Sequence, residues 1–232
     1  MRINADFGRR VVVRPEDYRW VDSPTPGVRR MMLDRIGDEV ARATSLVRFA
    51  PDSTFPSHVH GGGEEFLVLE GEFGDEHRRY PAGTYVRHPI GTAHAPRVGA
   101  QGCLLFVKLC QFDEDDDATV IVDTRDAEWP RPTAPGYEAL PLHRHGEERV
   151  SLVRWAPDTE FEEHAHRGGE EVFVIEGGFG DDRGYYPAGS WVRYPDGSRH
   201  RAITRGEGAL LFLKTGHLPR ETTAGTRHPG PN

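Results

Sequence analysis

"HVHGGGEE", residues His58 to Glu65, governs how the rest of the chain is read, because the chain repeats it as "HAHRGGEE", His164 to Glu171. Two imidazoles two residues apart, then glycines and paired carboxylates, are unusual contents for an ordinary strand and turn. Outward from these stretches the copies keep in step. From His58 to His94 and from His164 to His200 they align without a gap, and 21 of 37 positions are identical. "SLVRFAPD", Ser45–Asp52, matches "SLVRWAPD", Ser151–Asp158, at an offset of 106, and "VVVRPEDYRW", Val11–Trp20, matches "VIVDTRDAEW", Val120–Trp129, at 109. The second copy is thus three residues shorter in between, around Gly146–Val150. Self-similarity of this kind marks a duplicated unit. Two similar domains are expected, roughly residues 1–118 and 119–232, with the seam at the acidic run "DEDDDA", Asp113–Ala118, read as a solvated connection.

Each unit is built of short apolar runs, "SLVRFA", "EEFLVLEG", "GTYVRHP" and "CLLFVKL", separated by Gly, Pro and Asp clusters. The 232 residues include 27 Gly and 18 Pro, more than long helices tolerate, and no stretch keeps helical spacing over three turns. An all-β fold of sandwich or small-barrel type follows. "EFGDEHRRYPAG" and "GFGDDRGYYPAG" read as hairpin connections. The tail after Lys214 lacks apolar periodicity and is expected to fray.

The formal net charge of −8 opposes a phosphate-binding surface, so nucleic acid is not an expected partner. The N-terminus "MRINADFGRR" lacks the apolar core of a signal peptide, and runs such as Cys103–Val107 are too short to span a bilayer. A soluble, cytoplasmic protein without membrane partners is expected. Cys103 and Cys110 have no counterparts in the second copy and read as buried reduced thiols, their spacing opposing a bridge or a shared metal.

Side chains two apart in a strand point the same way, so His58 and His60 can aim both rings at one point. A carboxylate of the Glu64–Glu65 pair can return to that point on the next strand, and His94 can complete the set from a distant one. His164, His166, the Glu170–Glu171 pair and His200 repeat the pattern. Three imidazoles and a carboxylate suit a divalent transition metal, one ion per copy and two per chain. Fe(II) and Zn(II) fit best, with Mn, Ni or Cu as alternatives.

These residues carry a resemblance. HxH, then Glu after three residues and Gly after six more, is the first motif of the cupin superfamily, matched by His58, His60, Glu64, Gly71 and by His164, His166, Glu170, Gly177. The second motif is matched by Gly83, Pro89, Gly91, His94 and by Gly189, Pro195, Gly197, His200. Both copies carry Asp (Asp52, Asp158) where the family has a leading Gly, and Val98 and Thr204 where it has a final Asn. "GGEEFLVLEGEFGDE" and "YPAGTYVRHPIGTAH" further resemble the cupin domain of ChrR-type anti-sigma factors, a subfamily that includes relatives of diketone-cleaving dioxygenases. The resemblance implies two tandem double-stranded β-helix barrels, a bicupin with jelly-roll-like barrels. The chain has no Cys-x-x-Cys, the mark of the helical zinc domain through which ChrR-type regulators bind sigma factor, so anti-sigma activity is not implied.

The resemblance selects Glu64 and Glu170 as ligands and leaves Glu65 and Glu171 to orienting or surface contacts. Arg87 and Arg193, at equivalent positions, read as a shared structural salt bridge rather than an anion clamp. His88, Tyr194, Phe66 and Val172 differ between the copies, so any that line the cavities would make the two sites unlike. His143 and His145 read as surface residues. Two functions follow: a metal-dependent enzyme of dioxygenase type acting on a chelating small molecule, or a non-catalytic metal-dependent sensor of a small-molecule ligand. Sheet edges at the seam favour strand exchange or side-by-side pairing, within the chain or in a homodimer.

Overall fold

The computed structural model describes residues 1–219. It is all-β apart from a 3-10 turn at Pro15–Asp17, and among these residues no helix is long and apolar enough to cross a membrane. The chain forms two double-stranded β-helix barrels in tandem. In the first, Val28–Gly37, Ala41–Phe49, Arg97–Leu109, Glu64–Gly74 and Thr84–His88 follow one another as antiparallel neighbours. In the second, Tyr137–His145, Glu148–Trp155, Ile203–Thr215, Glu170–Asp181 and Trp191–Tyr194 repeat that order. A two-stranded ribbon closes each barrel, with His94 opposite His58 and His200 opposite His164.

The copies trade their first strands. Val11–Val13 pairs with Trp191–Tyr194 of the second barrel, and the equivalent Val120–Asp123 pairs with Thr84–His88 of the first. Each edge that would be open is thereby covered from the other repeat, within one chain.

Strand parity sorts the side chains into three clusters. In Glu64–Gly74, Phe66 and Val68 pack inside the first barrel while Leu67 faces the second. In Glu170–Asp181, Val172 and Val174 point inward and Phe173 points across. The shared layer includes Leu46, Tyr85, Phe106, Leu152, Trp191 and Phe212, with Phe106 stacked on Phe173 at a ring separation of 4.7 Å. A strand face that would be solvated in a lone barrel is interior here.

That layer overturns the surface reading of Glu65 and Glu171. They are 1% and 2% exposed, on the parity opposite Glu64 and Glu170. Lys108 donates to Glu171, and its counterpart Lys214 donates to Glu65, so each barrel supplies a lysine to the other's glutamate. Glu65 also accepts from Tyr85 Oη at 2.8 Å and Arg87 Nη1 at 3.0 Å. Arg87 and Arg193 are fully buried structural groups, as expected. Arg87 is bound to Glu65 and Asp116, and Arg193 to the carbonyls of Asn4 and Asp6 at 2.6 and 2.9 Å.

Three further expectations need correction. Asp116, within the acidic seam, is buried beneath Arg87 and accepts from it, joining Glu65 and Glu148 around the buried cation. His143 is not a surface residue; its ring lies 3.0 Å from the same Asp116 carboxylate and is 6% exposed, and His145 is half-buried beside Asp115. The chain directly after Lys214 is docked rather than frayed: Gly216 and Leu218 donate main-chain N–H groups to Gly169 and Gly168, and Leu218 is buried. The rest of that tail lies outside the described residues. Both cysteines are free; Cys103 is buried, with its thiol pushed up to about 12 by burial, and Cys110 is only half-buried.

The departures from the family pattern have a backbone explanation. Asp52 and Asp158 have φ of 54° and 50°, the left-handed region that Asp tolerates better than most residues. Gly71 and Gly177 leave no such latitude. A Cβ at either would lie 2.0 or 2.2 Å from a carbonyl oxygen, that of Gly102 or Gly208.

Candidate metal centres

Glu64 stands directly opposite His88 on the neighbouring strand, and Glu170 opposite Tyr194. Inward parity therefore brings position 88 or 194 to the same point as the glutamate. In the first barrel, ligand atoms of His60, Glu64, His88 and His94 all lie within 4.8 Å of one another. Glu64 Oε2 is 3.4 Å from His60 Nε2, 3.6 Å from His88 Nδ1 and 3.7 Å from His94 Nε2. His58 sits at the exposed rim, its ring centroid 5.2 Å from that of His60 and 4.8 Å from that of His94. The sequence thus named three of the four tightest members and placed His58 beside them, but it did not assign His88. The signal was present in "YVRHP": with Val86 inside the barrel, His88 must also point inward.

In the second barrel the converging set is His164, His166, Glu170 and His200. His166 Nε2 is 2.5 Å from Glu170 Oε2, and His200 Nε2 is 3.8 Å from it. Tyr194 turns away from the cluster. Its hydroxyl donates to Asp181 at 2.8 Å and its ring packs on His200 at 4.2 Å, while Arg10, carried in beside the exchanged strand, lies over the ring and pairs with Asp181.

Whether these clusters suit a cation can be judged from their own hydrogen bonding. His60 Nδ1 contacts Thr92 Oγ1 at 3.1 Å, His58 Nδ1 contacts the Pro56 carbonyl at 3.3 Å and His164 Nδ1 contacts the Glu162 carbonyl at 2.8 Å. Each contact fixes a ring by its far nitrogen and leaves Nε2 for the centre, the outer support that metal-binding histidines use. The facing atoms of the first cluster, His60 Nε2, Glu64 Oε2 and His94 Nε2, are buried without close hydrogen-bond partners. Buried polar atoms are rarely left so. A convergent set of them fits a cation.

The charge states agree. Burial holds His94 down to about 4 and lowers His60 and His200, despite the opposing pull of Glu64 or Glu170, so these rings are neutral donors at neutral pH. Burial works to raise Glu64 and Glu170, but the surrounding histidines outweigh it and keep both below the usual carboxylate range. His166 differs: burial would lower it, yet its contact with Glu170 raises it.

Beside the first cluster lies a cavity of about 400 Å³. His58, Glu64 and His94 line one part of it, and Phe49, Phe55 and Leu105 are among its apolar walls.

The comparisons agree with this architecture. The ChrR cupin-like domain family matches the chain twice, at residues 8–113 and 117–219. The protein belongs to that family. Among solved structures, a Nostoc punctiforme protein named as a "putative dioxygenase" superposes with a TM-score of 0.76 at 15% identity, covering 96% of this chain and 88% of its own. A Pseudomonas aeruginosa protein named as a "putative glyoxylate induced protein" gives 0.74 at 14% identity, with 93% and 92% covered. An oxalate decarboxylase from Lactobacillus farciminis gives 0.62 at 13% identity, with 90% and 86% covered. At such identities the likeness is one of fold. No curated protein matches the sequence.

Proposed function

We propose that the protein is a two-metal bicupin whose first barrel acts on a small chelating organic molecule as a metal-dependent dioxygenase. The observation that carries this reading is the set of buried, unpartnered nitrogen and carboxylate atoms of His60, Glu64 and His94 beside an apolar cavity. His58, His60, Glu64 and His94 would hold the metal in the first barrel, with His88 as a fifth donor, and His164, His166, Glu170 and His200 would hold it in the second. A redox-active divalent ion such as Fe(II) would supply electron transfer to dioxygen and Lewis-acid binding of paired substrate oxygens.

The protein's own part is to place and shelter the substrate. Phe49, Phe55 and Phe73 exclude water from the cavity beside the cluster. Thr92 and the Pro56 carbonyl hold His60 and His58 in orientation. His94, neutral above about pH 4, keeps a lone pair facing the centre.

The sensor reading has one specific support. Glu64 is followed directly by Glu65, whose carboxylate is bound to Lys214 of the other barrel, so a shift of the strand at the cluster reaches the interface. The test begins with elemental analysis of protein purified without added metal, for which two equivalents are expected. Fe(II)-reconstituted protein should then consume dioxygen with a panel of diketones and related enolisable carbonyl compounds, and Zn(II)-loaded protein should not. Saturable ligand binding by the Zn(II) form with no turnover under any metal would replace the enzyme reading with the sensor.

A further inference from the structure

The same cavity carries a feature with no counterpart in the second barrel. Two arginines from one strand, Arg30 and Arg35 of Val28–Gly37, line it together with Glu39 at its mouth, Ser45 and the apolar walls. Arg35 is only 5% exposed. It donates to the main-chain carbonyls of Asp38 and Glu39, neutral acceptors that leave its charge uncompensated. Arg30 has one ion-pair contact, at 3.8 Å, to a Glu39 side chain that is 71% exposed. Such a screened contact contributes little. Burial lowers Arg35, and the neighbouring Arg30 charge lowers it further against the weaker pull of Glu39 and Asp38. A buried guanidinium with a second, partly exposed one beside it at the wall of a largely apolar cavity favours an anion between them.

Support of the hairpin does not account for the pair. In the second barrel Arg30 is replaced by Ala139, and Arg144, the counterpart of Arg35, is exposed, yet strands Tyr137–His145 and Glu148–Trp155 pair over their full length. The second barrel also has Tyr137 and Trp155 where the first has Val28 and Phe49, and Trp155 packs on Phe161 at 4.7 Å. Larger rings stand where the first barrel keeps a void.

We propose that the first barrel selects a small organic anion, an apolar skeleton bearing a carboxylate, with the carboxylate bound by Arg30 and Arg35 and the opposite end presented to the His58, His60, Glu64 and His94 cluster. The cavity, at about 400 Å³, is of small-molecule size. Paired guanidinium groups match a carboxylate by charge-assisted hydrogen bonds. The second barrel, lacking the pair, would not share the preference. The inference rests on the reading of this cavity as the substrate site and adds the substrate class to it.

The test compares 4,6-dioxoheptanoate with heptane-2,4-dione by isothermal titration calorimetry on the metal-loaded full chain. The carboxylate is expected to bind at least about tenfold more tightly, and Arg30→Gln should erase that margin while leaving the neutral dione unchanged. Arg35→Gln should do the same; if it fails to fold, Arg30→Gln and the charge-retaining Arg30→Lys, which should keep part of the margin, carry the comparison. Equal binding of the two probes, survival of the margin in Arg30→Gln, or no measurable binding of the carboxylate would each overturn the proposal. Hexanoate against hexanamide on chelator-stripped protein separates the two readings. Anion preference persisting without metal, with no dione binding to the loaded form, refutes the metal-dependent reading alone; dione binding without anion preference refutes this one alone.

Discussion

The two barrels keep three histidines and a glutamate at equivalent positions and differ around them. His88 sits opposite Glu64 and turns its ring into the first cluster, stacked 5.3 Å from His60. Tyr194, at the equivalent position, gives its hydroxyl to Asp181 and adds only a ring face to the second cluster. Its hydroxyl is pushed far up by burial and by Asp181, so it stays protonated and offers no anionic donor. The environments diverge too. His60 has a side chain 4% exposed, whereas His166 is 29% exposed. The two copies share the histidine and glutamate pattern and differ in what surrounds it. The first barrel has the larger converging set, and the cavity with its arginines lies beside it, so under the proposed function it is the reaction site and the second a supporting one.

The largest effect that would break this comparison is the loss of a whole ion. His60→Ala with His94→Ala should remove one of two equivalents, measured by elemental analysis, and leave the second site filled. Loss of both without unfolding would show that the sites are not separate.

A smaller but more specific effect tests position 88. With the second site disabled by His164→Ala and His200→Ala, His88→Tyr should weaken Co(II) binding at the first site by about 10-fold or more and alter its visible absorption spectrum. An unchanged affinity and spectrum would remove His88 from the donor set and make the two centres alike.

The interface predicts effects on stability. Lys214→Met leaves Glu65 buried without one of its cations and should cost about 3–5 kcal/mol in chemical denaturation. Combining it with Glu65→Leu should recover part of that loss, since no orphan carboxylate remains.

The gentlest perturbation is pH. Burial works to raise Glu65, but Lys214 and Arg87 hold it down to about 2, and Lys108 and His217 hold Glu171 well below the usual range. A carboxylate lowered on folding adds stability that is complete above its unfolded value and is lost as pH falls toward its folded one. Unfolding free energy should therefore decline between about pH 4.5 and pH 2. Asp34, raised by burial, acts in the opposite sense and softens the slope. Glu65→Gln should flatten the decline further; an unaltered profile would mean that the interface pairs do not set acid stability.

The repeat, its all-β character and all the converging residues except His88 were legible in the chain, because they depend on local rules. Period-two alternation sends His60, Glu64 and their counterparts inward, glycine at positive φ marks the turns, and identical spacing in two copies distinguishes a cluster from scattered histidines. What Glu65, Glu171, Asp116 and His143 do was not legible. Glu65 and Glu171 point outward from a single barrel, and only the packing of one barrel on the other, with Val11–Val13 and Val120–Asp123 exchanged, turns that outer face into an interior where each takes a lysine from the distant repeat, while Asp116, in the connection, is buried between Arg87 and His143. The arginine pair follows the same logic. Arg30 and Arg35 look like ordinary surface charges in sequence, and it takes the curl of their strand around a cavity to place both guanidinium groups where an anion could bind.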